Sequence, residues 1–298
     1  MRKVKIITDS CSDLNKDLMD KYNIDYAKMN TVYEGVTSPA DLTWTADDVH
    51  KMYNMMREGK RILTTQVPVE EFTRIFTKYV DEGFDIVYIG CSLKQSGSVN
   101  TGAVVAKQIM GKNPDAAIFC IDSLNACLGE GMLAIKAAEY AAAGDKSAQE
   151  VNDYIMSIRK TLHEYATVHT LDYLKRAGRV KGPAAFFGNL MGVKPIIIAD
   201  KNGEQAAFKK VKGRQNSLKE IVNLLKESIK NPKEQTIYIG HADCSEEEVK
   251  SLVDLVKQEI PCKDVFVGFI GPIIGASIGP DAFVINGFGD EVTFAAGE

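Results

Sequence analysis

Over roughly the first 160 residues the chain alternates short apolar runs with longer amphipathic ones. That alternation limits the fold more than any other feature of the sequence. "VKIITDS" is a β-rich run followed by the polar–apolar "DLNKDLMDKY". "ADDVHKMYNMMREG" is amphipathic with a glycine stop, and "VPVEEFTRIFTKYVDEG" repeats that pattern. "DIVYIGCS" reads as a buried strand and "GSVNTGAVVAKQIMGK" as a helix; "AAIFCID" and "EGMLAIKAAEYAAAG" form the next such pair. Strands separated by helices of this length predict a parallel sheet with helices on both faces. In such sheets ligands sit beyond the C-terminal strand ends, where the chain turns into its helices.

The pattern changes after about Thr161. "KPIIIADKNGEQAAFKKVKG" is two extended runs joined at Asn202-Gly203, a strong hairpin signal. "QTIYIGHADCSEEEVKSLVDLVKQEI" reads as strand, turn and helix, and "DVFVGFIGPIIG" as strand again. A second, mixed α/β domain follows, with the boundary drawn at 1–163 and 164–298. The stretch "IGPIIGASIGPDAF" at 270–283, broken by Gly271, Pro272, Gly275, Gly279 and Pro280, is expected to be a glycine-rich strand and loop rather than a helix.

With 45% hydrophobic and 26% charged residues the composition is that of an ordinary globular protein, long enough at 298 residues for two domains. A net charge of −4 gives no reason to expect nucleic acid. The basic start "MRKVKIITDSCSDL" turns polar too early for a signal peptide, and no apolar run approaches the ~18 residues of a bilayer span, so a cytoplasmic protein is expected. The six cysteines contain no Cys-x-x-Cys pair and adjoin no histidine cluster, which predicts reduced core residues and no metal site.

Four clusters place polar residues at strand ends or loops. In "TDSCSD", Asp9 and Ser10 follow the first strand, where Ser10, Ser12 or Asp13 could cap the next helix. In "RILTTQVP", Thr64 and Thr65 precede a helix that Pro68 could start; one hydroxyl can cap it, leaving the other free. In "KQSGSVNTG", Ser96, Gly97 and Ser98 open a helix, whose exposed N–H groups and partial positive charge suit an anion. In "TLDYLKRAGRVKG", Lys175 and Lys181 read as a solvated face. Arg179, between Gly178 and an apolar stretch, could hold a carboxylate or phosphate through paired hydrogen bonds.

"GEGMLA" at Gly129–Ala134 matches a loose dinucleotide pattern, but "SLNACL" intervenes after the strand and the following residues are alanine-rich helix, so close helix–strand packing is the better reading. There is no P-loop signature. The four histidines are scattered, and His241 alone follows a strand; a structural role is expected for it. Hydroxyls with one arginine, and no general base or metal set, make a better anion receptor than a reaction centre.

Taken together, "IITDSCSDL", "TTQVP", "SGS" at 96–98, "LDYLKRAGRV", "GNLMGVKPII" and "GPIIGASIGP" resemble the DegV family of bacterial fatty-acid-binding proteins, in the right order along essentially the whole chain. The resemblance implies a two-domain DegV-like fold: an N-terminal three-layer α/β/α domain with a parallel sheet, and a C-terminal α/β domain with a mixed sheet. It implies a long-chain fatty acid buried between the two as ligand, with no cofactor. It also implies presentation of the acyl carboxylate to a separate fatty-acid kinase for phospholipid synthesis, a role compatible with transient membrane contact.

By this correspondence the family's carboxylate-binding threonine falls on Thr64, its serine on Ser96 beside Gly97, and its arginine on Arg179. The family's histidine falls on Ser277, which removes an imidazole from the head-group region. Proline comes one place late in "TTQVP", Gln95 stands where leucine is usual, and Asp281 replaces a usual glycine. Phe186, Phe187, Leu190 and Met191 could line an apolar slot or form core. The expectation is therefore a non-catalytic carrier. The alternatives are an α/β enzyme acting on a small anionic substrate, with a nucleotide at 129–134, or a carrier of another hydrophobic acid.

Overall fold

The computed structural model of the chain describes residues 2–183, 186 and 192–296. Its first sheet is parallel throughout. β1 (Lys3–Asp9), β2 (Asp25–Ala27), β6 (Phe84–Gly90) and β7 (Ile118–Asp122) stand in the order β2-β1-β6-β7. Because side chains alternate along a strand, Ile7, Ile86 and Tyr88 face one way, onto α3 (Val69–Asp81) and α4 (Ser98–Lys112). Ile6, Val87 and Ile89 face the other way, onto α5 (Cys127–Ala141) and α6 (Ala148–Ile158). These are the three expected layers.

Helix starts follow local chemistry. Thr45 opens α2 (Ala46–Arg57) and Ser147 opens α6 with reciprocal capping boxes to Asp48 and Glu150. Asn15 caps α1 (Lys16–Tyr22), so the capping expected of Ser10, Ser12 or Asp13 does not occur. Neither Thr64 nor Thr65 caps α3, whose N-cap position is Pro68. A small antiparallel sheet has no counterpart in the sequence pattern. β3 (Asn30–Tyr33), β4 (Val36–Pro39) and β5 (Leu63–Thr65) stand in the order β4-β3-β5. Its strands are three or four residues long, too short to show a period.

The second sheet is mixed. It comprises β8 (Leu162–Thr167), β9 (Val193–Ala199), β10 (Gln205–Lys212), β11 (Thr236–His241), β12 (Asp264–Phe269) and β13 (Phe283–Phe288), in the order β10-β9-β8-β13-β11-β12. Only β11 and β12 run parallel; the other neighbours are antiparallel. The chain passes to this sheet at Leu162, just ahead of the boundary drawn from sequence. β9 and β10 form the expected hairpin, its turn held by Asp200 Oδ1, which accepts from the Asn202 and Glu204 amides at 2.8 and 2.9 Å. The remaining helices are α7 (Asp172–Ala177), α8 (Arg214–Ser228), α9 (Glu246–Glu259) and α10 (Pro272–Ile278).

α10 corrects the reading of 270–283 as strand and loop. Gly271 is its N-cap, Pro272 occupies the first turn and Gly279, at φ +83°, ends it. A proline at the first helical position costs no hydrogen bond, so the glycine–proline pair that reads as a break is a start signal.

α5 ties the halves together. It is buried on nearly every face and packs between the two sheets, in one apolar core that runs from Ile6 and Val87 to Ala166 and Val284. No helix among the described residues is long and apolar enough to cross a membrane.

Candidate functional site

A cavity of about 150 Å³ opens where the two halves meet. Thr64, Ser96, Gly97, Arg179 and Ser277 all line it, although they lie up to 213 positions apart in sequence (277 − 64). Much of the remaining wall is apolar, with Met29, Leu174, Ile197, Ile273, Ile278 and Val284 among its residues. Thr64, Arg179 and Ser277 also line a second cavity of about 210 Å³, so they stand where the two spaces meet. That second cavity carries Lys60, Arg61 and Arg176.

Each of these residues is held by its element. Thr64 is the middle residue of β5, paired opposite Thr31 and half-buried. Among the described residues nothing hydrogen-bonds its hydroxyl. Ser96 lies in the turn that follows β6. Its hydroxyl is 2.9 Å from that of Ser98 and accepts from the Ser98 amide at 3.2 Å, while Ser98 Oγ accepts from the Val67 amide at 3.1 Å. This chain of bonds fastens the start of α4 to the segment that carries Thr64.

Gly97 is the N-cap of α4 and lines the cavity, so the positive end of a 15-residue helix stands beside it, with the Ser98 amide already taken by Ser96 Oγ. A Cβ on Gly97 would collide with Gln66 Oε1, whose amide nitrogen donates to Thr101 at 2.8 Å. A larger residue here would have to displace the Gln66 side chain.

Arg179 follows Gly178, which ends α7 in the left-handed region at φ +68°. Its Nε donates to the Gln95 carbonyl at 3.2 Å and its Nη1 to the Ala177 carbonyl, fixing the guanidinium of one half against the loop of the other. Ser277 sits in the last turn of α10, half-buried.

Several lining residues carry no signal in the sequence. Glu164 and Gln205, on β8 and β10, are buried, and Gln205 Nε2 donates to Glu164 Oε1 at 2.6 Å. Burial pushes the Glu164 carboxyl up to about 7, partly offset by that bond, and its Oε2 has no partner among the described residues. Cys11, Met29 and Cys91 also reach the wall. Nothing in a linear spacing marks these residues, because they come from five separate segments. Phe186 packs against the core and is absent from the lining, while Phe187, Leu190 and Met191 lie outside the described residues.

The loose dinucleotide pattern resolves as packing. A Cβ on Gly129 would meet Asn125 Oδ1, and one on Gly131 would lie 2.6 Å from Leu14 Cδ2 and 2.7 Å from the Ser12 carbonyl. With Gly129–Ala134 buried inside α5, that stretch has no cleft for a nucleotide. His241 is buried against Phe269, with ring centroids 4.6 Å apart, and burial lowers it to about 4. It takes no part in the cavity lining.

The parallel and mixed sheets joined through α5, with a largely apolar cavity beside the start of α4, define an α/β protein built around a cavity at the junction of its halves. Residues 3–286 match the family model described as "Uncharacterised protein, DegV family". The chain belongs to the DegV family. It is 35% identical over 296 residues to a DegV domain-containing protein of Clostridium perfringens, covering 97% of this chain and 99% of that one. Among solved structures it is similar to a DegV lipid-binding protein from Thermotoga maritima, at 26% identity and a TM-score of 0.83, covering 98% of this chain and all of that one. A DegV family protein from Thermus thermophilus, described by its fatty-acid binding, shares the fold at 24% identity and a TM-score of 0.86, over 97% of this chain and all of that one.

Proposed function

We propose that the protein binds a long-chain fatty acid in the cavity at the junction of its halves, with the carboxylate held by Thr64, Ser96 and Arg179 beside Gly97 and Ser277. One observation carries this reading: the Thr64 and Ser96 hydroxyls and the Arg179 guanidinium, from three segments, gather with the start of α4 at one largely apolar cavity. The relatives described as lipid- or fatty-acid-binding support the same class of ligand. Burying about fifteen methylenes at ~0.8 kcal/mol each offers up to ~12 kcal/mol before costs. Hydrogen bonds to the charged carboxylate add roughly 1.5–3 kcal/mol each, so the tail supplies affinity and the polar groups set orientation.

On this reading the protein is a non-catalytic carrier that presents the carboxylate to a separate fatty-acid kinase. Arg179 is exposed, and Thr64, Arg179 and Ser277 border the second, cation-lined cavity, so the head group would lie at the accessible end.

Native mass spectrometry of the purified protein should find one fatty acid per chain. R179A and T64A should each weaken fatty-acid binding about ten- to a hundredfold, in line with the loss of one such bond. S277H should preserve or strengthen binding by restoring an imidazole. Consistent recovery of empty protein, with no uptake of oleate in titration, would sink the proposal. The kinase step is tested separately, by trapping an acyl phosphate with hydroxylamine after adding a fatty-acid kinase and ATP to the loaded protein.

A further inference from the structure

We propose that Cys11, Cys91 and Glu130 form a binding site for a thiophilic divalent cation of the zinc type, buried at the wall of the cavity. The two cysteines are 80 positions apart (91 − 11), but they follow the C-terminal ends of neighbouring parallel strands, β1 and β6. Their sulfurs and a Glu130 carboxylate oxygen all lie within 4.8 Å of one another. Zinc–sulfur bonds of ~2.3 Å and zinc–oxygen bonds of ~2.0–2.2 Å in a tetrahedron place donors roughly 3.5–4 Å apart. A side-chain adjustment of about 1 Å therefore closes the set around an ion.

Independent of that proximity, Glu130 Oε2 is fully buried and has no hydrogen-bond partner among the described residues. A native protein rarely leaves such an atom unsatisfied, and an ion at this position would satisfy it. The other oxygen, Oε1, accepts from Thr8 Oγ1 at 2.7 Å and from the Asp9 amide at 3.4 Å, which fixes the carboxylate plane.

Asp9 organises the two cysteines in the same way. Its Oδ1 accepts from the Cys11 amide at 2.9 Å, and its Oδ2 accepts from the Cys91 amide at 3.3 Å and from Tyr88 Oη at 2.6 Å. These bonds reach the cysteines through their backbone amides and fix where the two chain segments stand.

A fourth, softer donor is at hand: Met29 Sδ lies 3.4 Å from Cys11 Sγ, which donates to it. Two sulfur anions with one carboxylate suit zinc better than a hard cation such as magnesium, and the carboxylate argues against a site built for monovalent copper. Cys11, Met29 and Cys91 line the cavity, which gives the ion an entry path. On binding, the two thiol protons and any proton carried by the Glu130 carboxyl leave to solvent, and the two sulfurs and the carboxylate oxygen each form one bond to the metal.

The test uses the full chain, kept under reductant and stripped of metal with a chelator, then titrated with Co²⁺ and back-titrated with Zn²⁺. The proposal expects one Co²⁺ per chain, tetrahedral d–d absorption with sulfur-to-cobalt charge-transfer bands, and displacement by Zn²⁺. C11S, C91S and E130Q should each weaken Co²⁺ binding by more than about tenfold. C262S, outside the cluster, should leave it unchanged. Charge-transfer bands of undiminished intensity and unchanged Co²⁺ affinity in both C11S and C91S overturn the proposal. If those variants fail to fold, the unaltered protein still decides: no sulfur band at excess Co²⁺ and no rise in Tm with Zn²⁺ overturn it. Because the cobalt spectrum reports the sulfurs directly, loss of fatty-acid binding alone leaves this result untouched.

Discussion

Glu164 shows how a single buried side chain sets a property of the whole protein. Its carboxyl is 4% exposed and is raised from 4.5 to about 7, chiefly by burial. Between those two values the unfolded chain has released a proton that the folded chain keeps. Stability should therefore fall as pH rises across that window, by about 3 kcal/mol in all. E164Q keeps the bond to Gln205 with a side chain that never ionises. Denaturant unfolding at pH 4.5 and pH 8 should show the stability difference between variant and parent shifting by about 3 kcal/mol in the variant's favour at the higher pH. An unchanged difference would mean that the carboxylate is solvated in the folded state.

At the same scale, the site residues divide by what makes a residue visible in sequence. Thr64, Ser96 and Arg179 stand out because hydroxyls at strand ends and an arginine after a helix-ending glycine have local signatures. Glu164, Cys11 and Cys91 have none. Their neighbours are supplied by sheet pairing between distant strands, which no linear spacing records.

Among the elements, α10 is hidden in the sequence because its glycines and prolines read as breaks. In the structure Pro272 starts the helix, and Gly275 lets it press against α2, where a Cβ would collide with Tyr53 Oη and lie 2.9 Å from Met52 Cε. Tyr53 is fully buried and donates to the Ile270 carbonyl at 2.8 Å, so it cannot move aside freely. G275A should destabilise by about 1–3 kcal/mol through overpacking, despite alanine's higher helix propensity. Gly111, near the end of α4, has nothing within 4 Å of where a methyl on its Cα would stand, and G111A should stabilise by about 0.5–1 kcal/mol. Thermal unfolding of the two variants separates these effects; equal shifts in Tm would mean that α10 is not packed as described. The long helices and central strands are legible because their periods extend over several turns or pairs. The three short strands, one of which carries Thr64, offer no period, and only their pairing with one another defines them.

Across the whole molecule, the halves are joined by α5 and by polar contacts, among them those of Arg57. Arg57, at the end of α2, donates from Nη1 to Asp243 Oδ2 at 2.6 Å and from Nη2 to Asp281 Oδ1 at 2.7 Å. The two carboxylates differ in burial: the Asp243 side chain is 5% exposed and that of Asp281 is 39% exposed. Asp281 also holds φ at +61°, the left-handed region that favours glycine, so its ion pair offsets a backbone cost of about 1 kcal/mol. Replacing it by glycine relieves that strain, loses an exposed pair worth ~0.2–1 kcal/mol and loosens the unfolded chain, so D281G should change stability by less than about 1 kcal/mol. R57A is different, because it leaves Asp243 buried with the His50 imidazole beside it. With the arginine itself a third exposed, that loss should cost about 2 kcal/mol, below the range for a fully buried pair. Since the core that contains α5 runs through both halves, the loss should lower a single cooperative transition seen alike by far-UV circular dichroism and by the fluorescence of Trp44, the lone tryptophan. Two separated transitions in the parent protein would mean that the halves fold independently and that α5 belongs energetically to one of them.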